Sequence, residues 1–295
     1  MKVTKLQDAG PRARTVAVGS FDGVHAGHRA VIGDADSVLT FDPHPVEVLA
    51  PEKAPKLLTT TARKAELLAA LGVEEMIVIP FDRGFAGQDA QAFVDDVLVD
   101  RLGAQVVRVG ENFRFGKGAT GDSSMLAGQD AFETQVVGLL EQDGRVVSSS
   151  WIRELVAEGE VARAAALLQS EFELAGTVIR GEQRGRELGY PTANLEPPPR
   201  HCLPAFGVYA ATALLQDGTT APAAVSIGTR PTFDSKLGDL VEAYLIDFEG
   251  DLYGQELRLR FRSLLRPELE FPDAQALIDQ MGRDVERARS ELAGG

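Results

Sequence analysis

The sequence predicts an α/β domain built on a parallel sheet, followed by an antiparallel β domain that closes with a helix. Three observations carry this expectation. In the first half, short apolar runs alternate with stretches whose apolar residues recur at helical spacing, the pattern of a parallel sheet covered on both faces. From about Glu171 the hydrophobic period falls from that of a helix to that of a strand. Residues 273–292 then return to the helical period. The chain has 295 residues, a length suited to two domains. The change of period puts their boundary near Ser170, giving residues 1–170 and 171–295.

In order, residues 15–19, 37–41, 75–80 and 105–110 read as four buried strands. Between them, 61–71 reads as a helix capped by Thr59, Thr60 or Thr61. Residues 88–102 read as another, with Gly103 as its stop. Residues 151–169 form one or two helices, interrupted at Gly159. In the second half, 174–179, 207–215, 221–227 and 241–248 read as strands. Residues 256–262 alternate strictly, so Arg258, Arg260 and Arg262 are expected on a solvated face. Short strands punctuated by glycine and proline suit an antiparallel barrel or a sandwich.

Hydrophobic residues make up 44% and charged residues 25% of the chain, ordinary globular proportions. Cys202 is the sole cysteine, so no intrachain disulfide forms and a reducing, cytoplasmic setting is expected. The first 14 residues lack the apolar core of a signal peptide, and no run approaches a membrane span. The net charge of -14 argues against nucleic-acid and membrane partners. A phosphorylated ligand must then be held by local basic residues, backbone amides or a metal ion. Assembly and protein partners stay open.

The first chemical constellation is residues 19–28, GSFDGVHAGH. A glycine-lined turn between strand and helix lets backbone amides approach a phosphate, and the helix start adds positive potential. His25 and His28 share a face at helical spacing and can stabilise charge developing at an α-phosphorus. The plain alternative is a turn with two surface histidines. Gly116-Lys117 is no Walker loop, because Gly118 follows the lysine.

The second constellation is a local Gly/Arg patch running from Gly176 and Gly181 through Arg184 and Gly189 to Pro191, Thr192 and Asn194. Pro191 fixes the backbone beside Thr192, and Thr192 with Asn194 offers two neutral oxygens. Such donors suit a Mg²⁺ held mainly by water and substrate phosphates. A polar loop is the plain alternative.

These motifs resemble the bacterial bifunctional riboflavin kinase/FAD synthetase family. The resemblance rests on residues 19–28, on TFDPHP at 40–45, GENFRFG at 110–116 and SSSWIR at 148–153. In the second half it rests on GYPTAN at 189–194, IGTRPTF at 227–233, Glu242 within VEAY, and DFEGDLYG at 247–254. It implies a Rossmann-like nucleotidyltransferase domain of the HxGH type, then a six-stranded antiparallel kinase barrel with a C-terminal helix. It implies ATP-dependent phosphorylation of riboflavin to FMN in the barrel half, and adenylylation of FMN to FAD with release of pyrophosphate in the first half.

For the first half, the resemblance makes His25, His28 and Arg153 catalytic. Gly19, Ser20, Phe21, Asp22, Gly23 and Gly27, with Ser148, Ser149 and Ser150, would bind the nucleotide. Phe41, Pro43, His44, Asn112 and Arg114 would face the flavin. For the second half, Glu242 would be the general base. Gly176, Gly181, Arg184, Gly189, Pro191, Thr192 and Asn194 would bind the nucleotide, with Thr192 and Asn194 on Mg²⁺ (Mn²⁺ as the alternative metal). Rival readings are a kinase whose adenylyltransferase half is impaired, a carrier of flavin nucleotides without turnover, and nucleotidyl transfer to a different phosphate.

The chain departs from the family mainly after His28. Only residues 29–36 separate it from the next strand, so the first helix is short by roughly three turns. The sheet face beneath is expected to be thinly packed. Asn112 stands where an acidic residue is common, and Ser150 where threonine is usual. Trp151 is expected to pack its helix, Cys202 to be an incidental thiol, and His201 to bind no metal.

Overall fold

The computed structural model describes residues 1–181, 189–229 and 239–293. Contacts divide the chain into two compact units, Met1–Ser149 and Ser150–Gly295. The first begins with β1 (Lys2–Lys5), β2 (Arg14–Val18), β3 (Ser37–Asp42), β4 (Glu75–Pro80) and β5 (Ala104–Gly110). Then come β6 (Arg114–Phe115) and β7 (Gly121–Asp122), a two-stranded ribbon, and β8 (Glu133–Val137). β9 (Glu141–Gln142) and β10 (Arg145–Val146) make a second small ribbon.

Six of these strands form one sheet in the order β1-β4-β3-β2-β5-β8, and every neighbouring pair is parallel. The four expected strands are its centre. The two edges were not foreseen, because β1 is exposed except at Thr4, β8 mixes exposed and half-buried residues, and neither presents an apolar run. Lysines at the ends of β1 blunt that edge.

The two-residue period divides the central strands between the faces. Val16, Val18, Leu39, Ile77, Ile79, Val107 and Val109 pack beneath the segment 90–101. Ala17, Val38 and Met76 face the other way, against Ile32 of the first helix (Ala26–Ile32) and Leu67 and Leu68 of the helix Thr61–Ala70, whose cap is Thr60. The segment expected as one α-helix over 88–102 begins as Ala90–Ala92 and continues as a π-helix over Phe93–Arg101. Its wider turns still bury Phe93, Val94, Val97 and Leu98, so the apolar pattern alone did not distinguish the two. Gly103, at φ 64°, ends it as expected.

The short crossover does not leave the sheet thinly covered. Ala17, Val38, Met76 and Ile32 are fully buried. Arg108 of β5, the register partner of Ala17, reaches over this face to the end of the first helix. Its Nε donates to Val31 O at 2.9 Å, its Nη2 to Ala30 O at 3.4 Å, and its Nη1 to Asp34 Oδ1 at 3.0 Å. A guanidinium thus takes the carbonyls that further helical turns would have used. Gly33, at φ +50°, makes this fit, since a Cβ there would lie 2.3 Å from Arg108 Nη2.

The second unit opens with the helix Ser149–Ala157, all but its first residue, and with Val161–Leu168, separated at Gly159 as expected. Both helices are tied to the strands that follow. Val156 O accepts from Ala205 N at 3.2 Å, and Val161–Leu168 packs on two of those strands.

The strands are β11 (Phe172–Ile179), β12 (Ala193–Glu196), β13 (Gly207–Leu214), β14 (Thr220–Thr229), β15 (Asp239–Leu245) and β16 (Glu256–Pro267). They close as a barrel, β11-β12-β15-β14-β13-β16, with antiparallel pairing throughout, which decides between barrel and sandwich. β12 escaped the sequence reading because it is only four residues long. β16 runs five residues past its expected end and pairs with both β11 and β13, with bulge-like register shifts opposite β13.

Tyr209, Val225, Val241, Ala243, Leu257, Leu259 and Phe261 are buried, in alternation with wetter neighbours along β15 and the first half of β16. The C-terminal helix, Ala274–Ala293, lays Ala288, Val285 and Leu292 over Ala210, Ala224 and Leu265 of the barrel's outer face. The arginine stripe lies on the wetter face of β16, as expected, but it is ion-paired. Buried Glu173 accepts from Arg258 at 2.8 Å and from Arg260 at 2.9 Å across the β11–β16 ladder, and Arg262 lies 3.8 Å from Glu171. Alternation reports which face a side chain occupies, not the carboxylate that the neighbouring strand brings to it. Trp151 is buried in its helix, as expected.

Candidate active sites

The first site is the turn that β2 feeds. Phe21 (φ 48°) and Val24 (φ 44°) both take left-handed backbone, with Gly23 (φ 88°) between them. Such conformations cost about 1–3 kcal/mol each outside glycine and persist where the surroundings over-determine them. Here Phe21 and Val24 are buried, and the Asp22 carboxylate accepts from Leu58 N and Thr59 N, each at 3.0 Å. Thr59 Oγ1 accepts from Gly23 N at 3.1 Å, and Ser149 Oγ donates to Asp22 O at 2.9 Å. The side chain of Asp22 therefore clamps the turn to the segment at 58–59.

His25 caps the first helix, its Nδ1 accepting from His28 N at 3.3 Å. The two imidazoles stack at 3.6 Å between centroids, with Phe21 edge-on to His28 at 5.3 Å. Gly27 leaves room for the stack, since a Cβ there would lie 3.2 Å from His25 Cε1.

Beside the turn lies a cavity of about 620 Å³. It gathers Gly19, Ser20, Phe21 and His28 from the turn, Phe41 and His44 from the end of β3, and Asn112 and Arg114 from beyond β5. His25 and Asp22 are buried behind this wall. Pro43, which follows a cis peptide, precedes His44, and His44 Nδ1 accepts from Val46 N at 3.3 Å to cap the helix Pro45–Leu49. Ser148 and Ser149 lie in the segment against the turn, whereas Ser150 and Arg153 belong to the second unit.

Sequence reasoning missed most of the apolar wall. Phe41, Phe81, Phe85, Phe93, Phe115 and Phe113 form an unbroken series of ring contacts, with successive centroids 5.3–6.2 Å apart, and all six line the cavity. Each residue reads locally as core, so only the fold reveals the row. Lys64, buried beneath the turn, was also missed.

The second site lies on the outer face of the barrel. Val241 and Ala243 are buried, so Glu242 between them points outward. Its register partners are Asn194 on β12 and Ser226 on β14, which makes a polar row across three strands. Thr192 Oγ1 donates to Glu242 Oε1 at 3.4 Å.

Two cavities share Thr192, and Glu242 lines one of them. One, about 550 Å³, is lined by Pro191, Thr192, Ala193 and the loop 248–253. The other, about 230 Å³, lies against the C-terminal helix and is lined by Thr192, Glu242, Ser226, Tyr190, Tyr244 and Arg266 together with Leu277, Met281, Asp284 and Val285. Arg266 pairs with the buried Asp284 at 2.9 Å, and Gln280 Nε2 donates to the same carboxylate at 2.8 Å. Arg266 and Asp284 were not foreseen, whereas Tyr190, Tyr244 and the loop 248–253 fall in stretches that carry the family resemblance but had been given no role.

Asn194 is buried, with Gly181 packed directly on its amide. Gly176 sits mid-strand in β11 where a Cβ would meet Glu196 O at 2.8 Å, so its smallness serves the sheet. Gly189 takes φ +87°. Arg184 and residues 230–233 lie outside the described residues. Among the described residues no three His, Cys, Asp or Glu side chains gather as a metal cage. The neutral oxygens of Thr192 and Asn194 fit a cation held chiefly by phosphates and water.

A strained strand–turn–helix with paired imidazoles on a parallel sheet, and a carboxylate–hydroxyl pair between two cavities of a barrel, define a two-part enzyme of phosphate transfer. Family models agree in both halves: FAD synthetase matches residues 7–151 and riboflavin kinase residues 168–292. A bifunctional riboflavin kinase/FMN adenylyltransferase of Escherichia coli K12 is 35% identical over 300 residues, covering 97% of this chain and 95% of that one. Proteins of the same description from Listeria monocytogenes and Bacillus subtilis are 37% and 34% identical, covering 95% and 92% of this chain and 93% and 90% of theirs. The chain belongs to the bifunctional riboflavin kinase/FMN adenylyltransferase family.

A solved Streptococcus pneumoniae structure, named a macrolide-efflux protein, shares the fold with a TM-score of 0.87 and 29% identity, covering 98% of this chain and 99% of that one. Among the described residues of this chain no helix is long and apolar enough to cross a membrane.

Proposed function

We propose that the family's two activities are divided between residues 171–295, which phosphorylate riboflavin to FMN, and residues 1–170, which adenylylate FMN to FAD. In the kinase half, riboflavin occupies the cavity beneath the C-terminal helix and ATP the cavity lined by Pro191, Thr192 and the loop 248–253. Glu242 accepts the proton of the ribityl terminal hydroxyl as that oxygen attacks the γ-phosphorus, and ADP leaves. Thr192 and Asn194 would hold a Mg²⁺ with the nucleotide's phosphates, and the ion when bound offsets charge on the transferring group. The observation that carries this reading is the Thr192–Glu242 contact at 3.4 Å, made at the wall that both cavities share.

In the first half, the flavin ring of FMN lies along the phenylalanine row, near His44, Asn112 and Arg114. The triphosphate of ATP lies over the turn 19–28. An oxygen of the FMN phosphate attacks the α-phosphorus in line, and pyrophosphate departs without a covalent enzyme intermediate. His25, His28, Ser149 and Arg153 stabilise the charge that develops. The buried Cys202 suits a reducing cytoplasm.

The test is a time course with riboflavin, ATP and Mg²⁺, separating riboflavin, FMN and FAD by chromatography. FMN followed by FAD is the expected result. FMN that accumulates without FAD would refute the adenylylation half, and no conversion would refute both.

A further inference from the structure

Lys64 is 8% exposed and stands on the first turns of the helix Thr61–Ala70, directly beneath the nucleotide turn. Its Nζ donates to Ser20 O at 2.7 Å and lies 3.3 Å from Thr40 Oγ1, whose hydroxyl donates to the same carbonyl at 3.1 Å. Ser20 lines the cavity, yet its carbonyl is turned inward to two buried donors. Burial pulls the Lys64 ammonium below its ordinary range, while the charges of Asp22 and Asp42 push back.

We propose that Lys64 is a positioning residue for adenylylation: it holds the Ser20 carbonyl away from the incoming triphosphate and offsets the carboxylates of Asp22 in the turn and Asp42 at the end of β3. This rests on the reading that the triphosphate lies over residues 19–28. A chain of net charge -14 repels a polyanion. Two carboxylates near the turn make that local, and a carbonyl dipole aimed at the phosphates would add to it. One ammonium removes the dipole and balances one of the two charges. Its position behind the wall leaves the cavity face to the imidazole and backbone amides.

The test uses the intact chain supplied with FMN, ATP and Mg²⁺, with riboflavin phosphorylation in the same preparations as a control for folding. For Lys64→Met, the KM for ATP in FAD formation should rise about tenfold, the loss expected for a hydrogen bond to a charged group. The KM for FMN and the kinase rate should stay within about twofold of the parent. Adding Asp42→Asn, at an exposed residue, should recover much of the lost ATP affinity, which a merely structural lysine would not allow.

A Lys64→Met protein that melts earlier with an unchanged KM for ATP, or a double variant with no recovery, overturns the proposal. Should Lys64→Met not fold, Asp42→Asn alone decides: it should lower the KM for ATP, and an unchanged or raised value overturns the proposal. A parent protein that makes no FAD overturns the underlying reading together with the inference.

Discussion

Thr192 donates its hydroxyl to Oε1 of Glu242 at 3.4 Å, and that threonine is the residue common to the two cavities of the barrel. In the proposed reading, one hydroxyl therefore stands beside both the base and the partition between acceptor and nucleotide. Glu242 is positioned by strand register, with Asn194 and Ser226 opposite it, and not by a mobile loop. The proposed proton acceptance would thus be fixed to a row set by strand pairing.

Replacing this carboxylate separates the two activities. Glu242→Gln keeps the size and removes the base, so riboflavin phosphorylation should fall about 10²- to 10⁴-fold. FAD formation from supplied FMN should persist near the parent rate. Assaying both reactions on one preparation checks both statements.

The reciprocal result is expected at the stacked imidazoles. His28 lines the first cavity and stacks on His25, and in the proposed reading its removal takes away a donor to the developing phosphate charge. His28→Ala should slow FAD formation about 10²- to 10³-fold, leaving riboflavin phosphorylation intact. Equal losses in both reactions would contradict the assignment of the turn to adenylylation.

Arg108 holds the end of the helix that carries His28. Arg108→Met keeps the apolar stem over the sheet but frees the carbonyls of Ala30 and Val31. The first unit should lose about 1–3 kcal/mol of stability, read from urea unfolding, and FAD formation should fall. Gly33→Ala, which crowds the guanidinium, should move both readouts in the same direction.

Glu75 gives the first unit a pH dependence. Burial alone would raise its carboxyl, but hydrogen bonds from Thr4 and Arg14 and the charges of Arg14 and Lys2 outweigh burial and hold it below its ordinary value of 4.5. A depressed folded value means that the stabilisation is present above the ordinary value and is lost as pH falls through the folded one. Glu75→Gln leaves the buried Arg14 without its charged partner and should cost about 3 kcal/mol at pH 7. The difference from the parent should shrink in acid, once the native carboxyl is itself protonated. Urea midpoints at neutral and acid pH measure it.

The sequence revealed the elements whose burial is one-sided or complete. The central strands and the C-terminal helix were legible because their apolar periods are strong, as in EMIVIP of β4 and the helix Ala274–Ala293. β1, β8 and β12 were not, being short or wet at an edge. The turn 19–28 and Glu242 were legible as motifs. The phenylalanine row and Lys64 were not, since aromatic residues from separate segments, and a lysine amid helix formers, carry no local mark of a shared cavity. The outward face of the arginine stripe was legible, but not the carboxylate paired with it: Glu173 lies far away along the chain, and only the β11–β16 pairing unites them.

The Arg108 cap makes the short crossover and a long one mutually exclusive. A chimera that splices a longer first helix into this chain would drive the added turn toward the guanidinium, which already lies so close that a Cβ at Gly33 would sit 2.3 Å from it. The graft would have to bring a smaller residue at position 108 with it. Two segments some 75 residues apart therefore behave as one exchangeable part, and swapping either alone should yield a misfit.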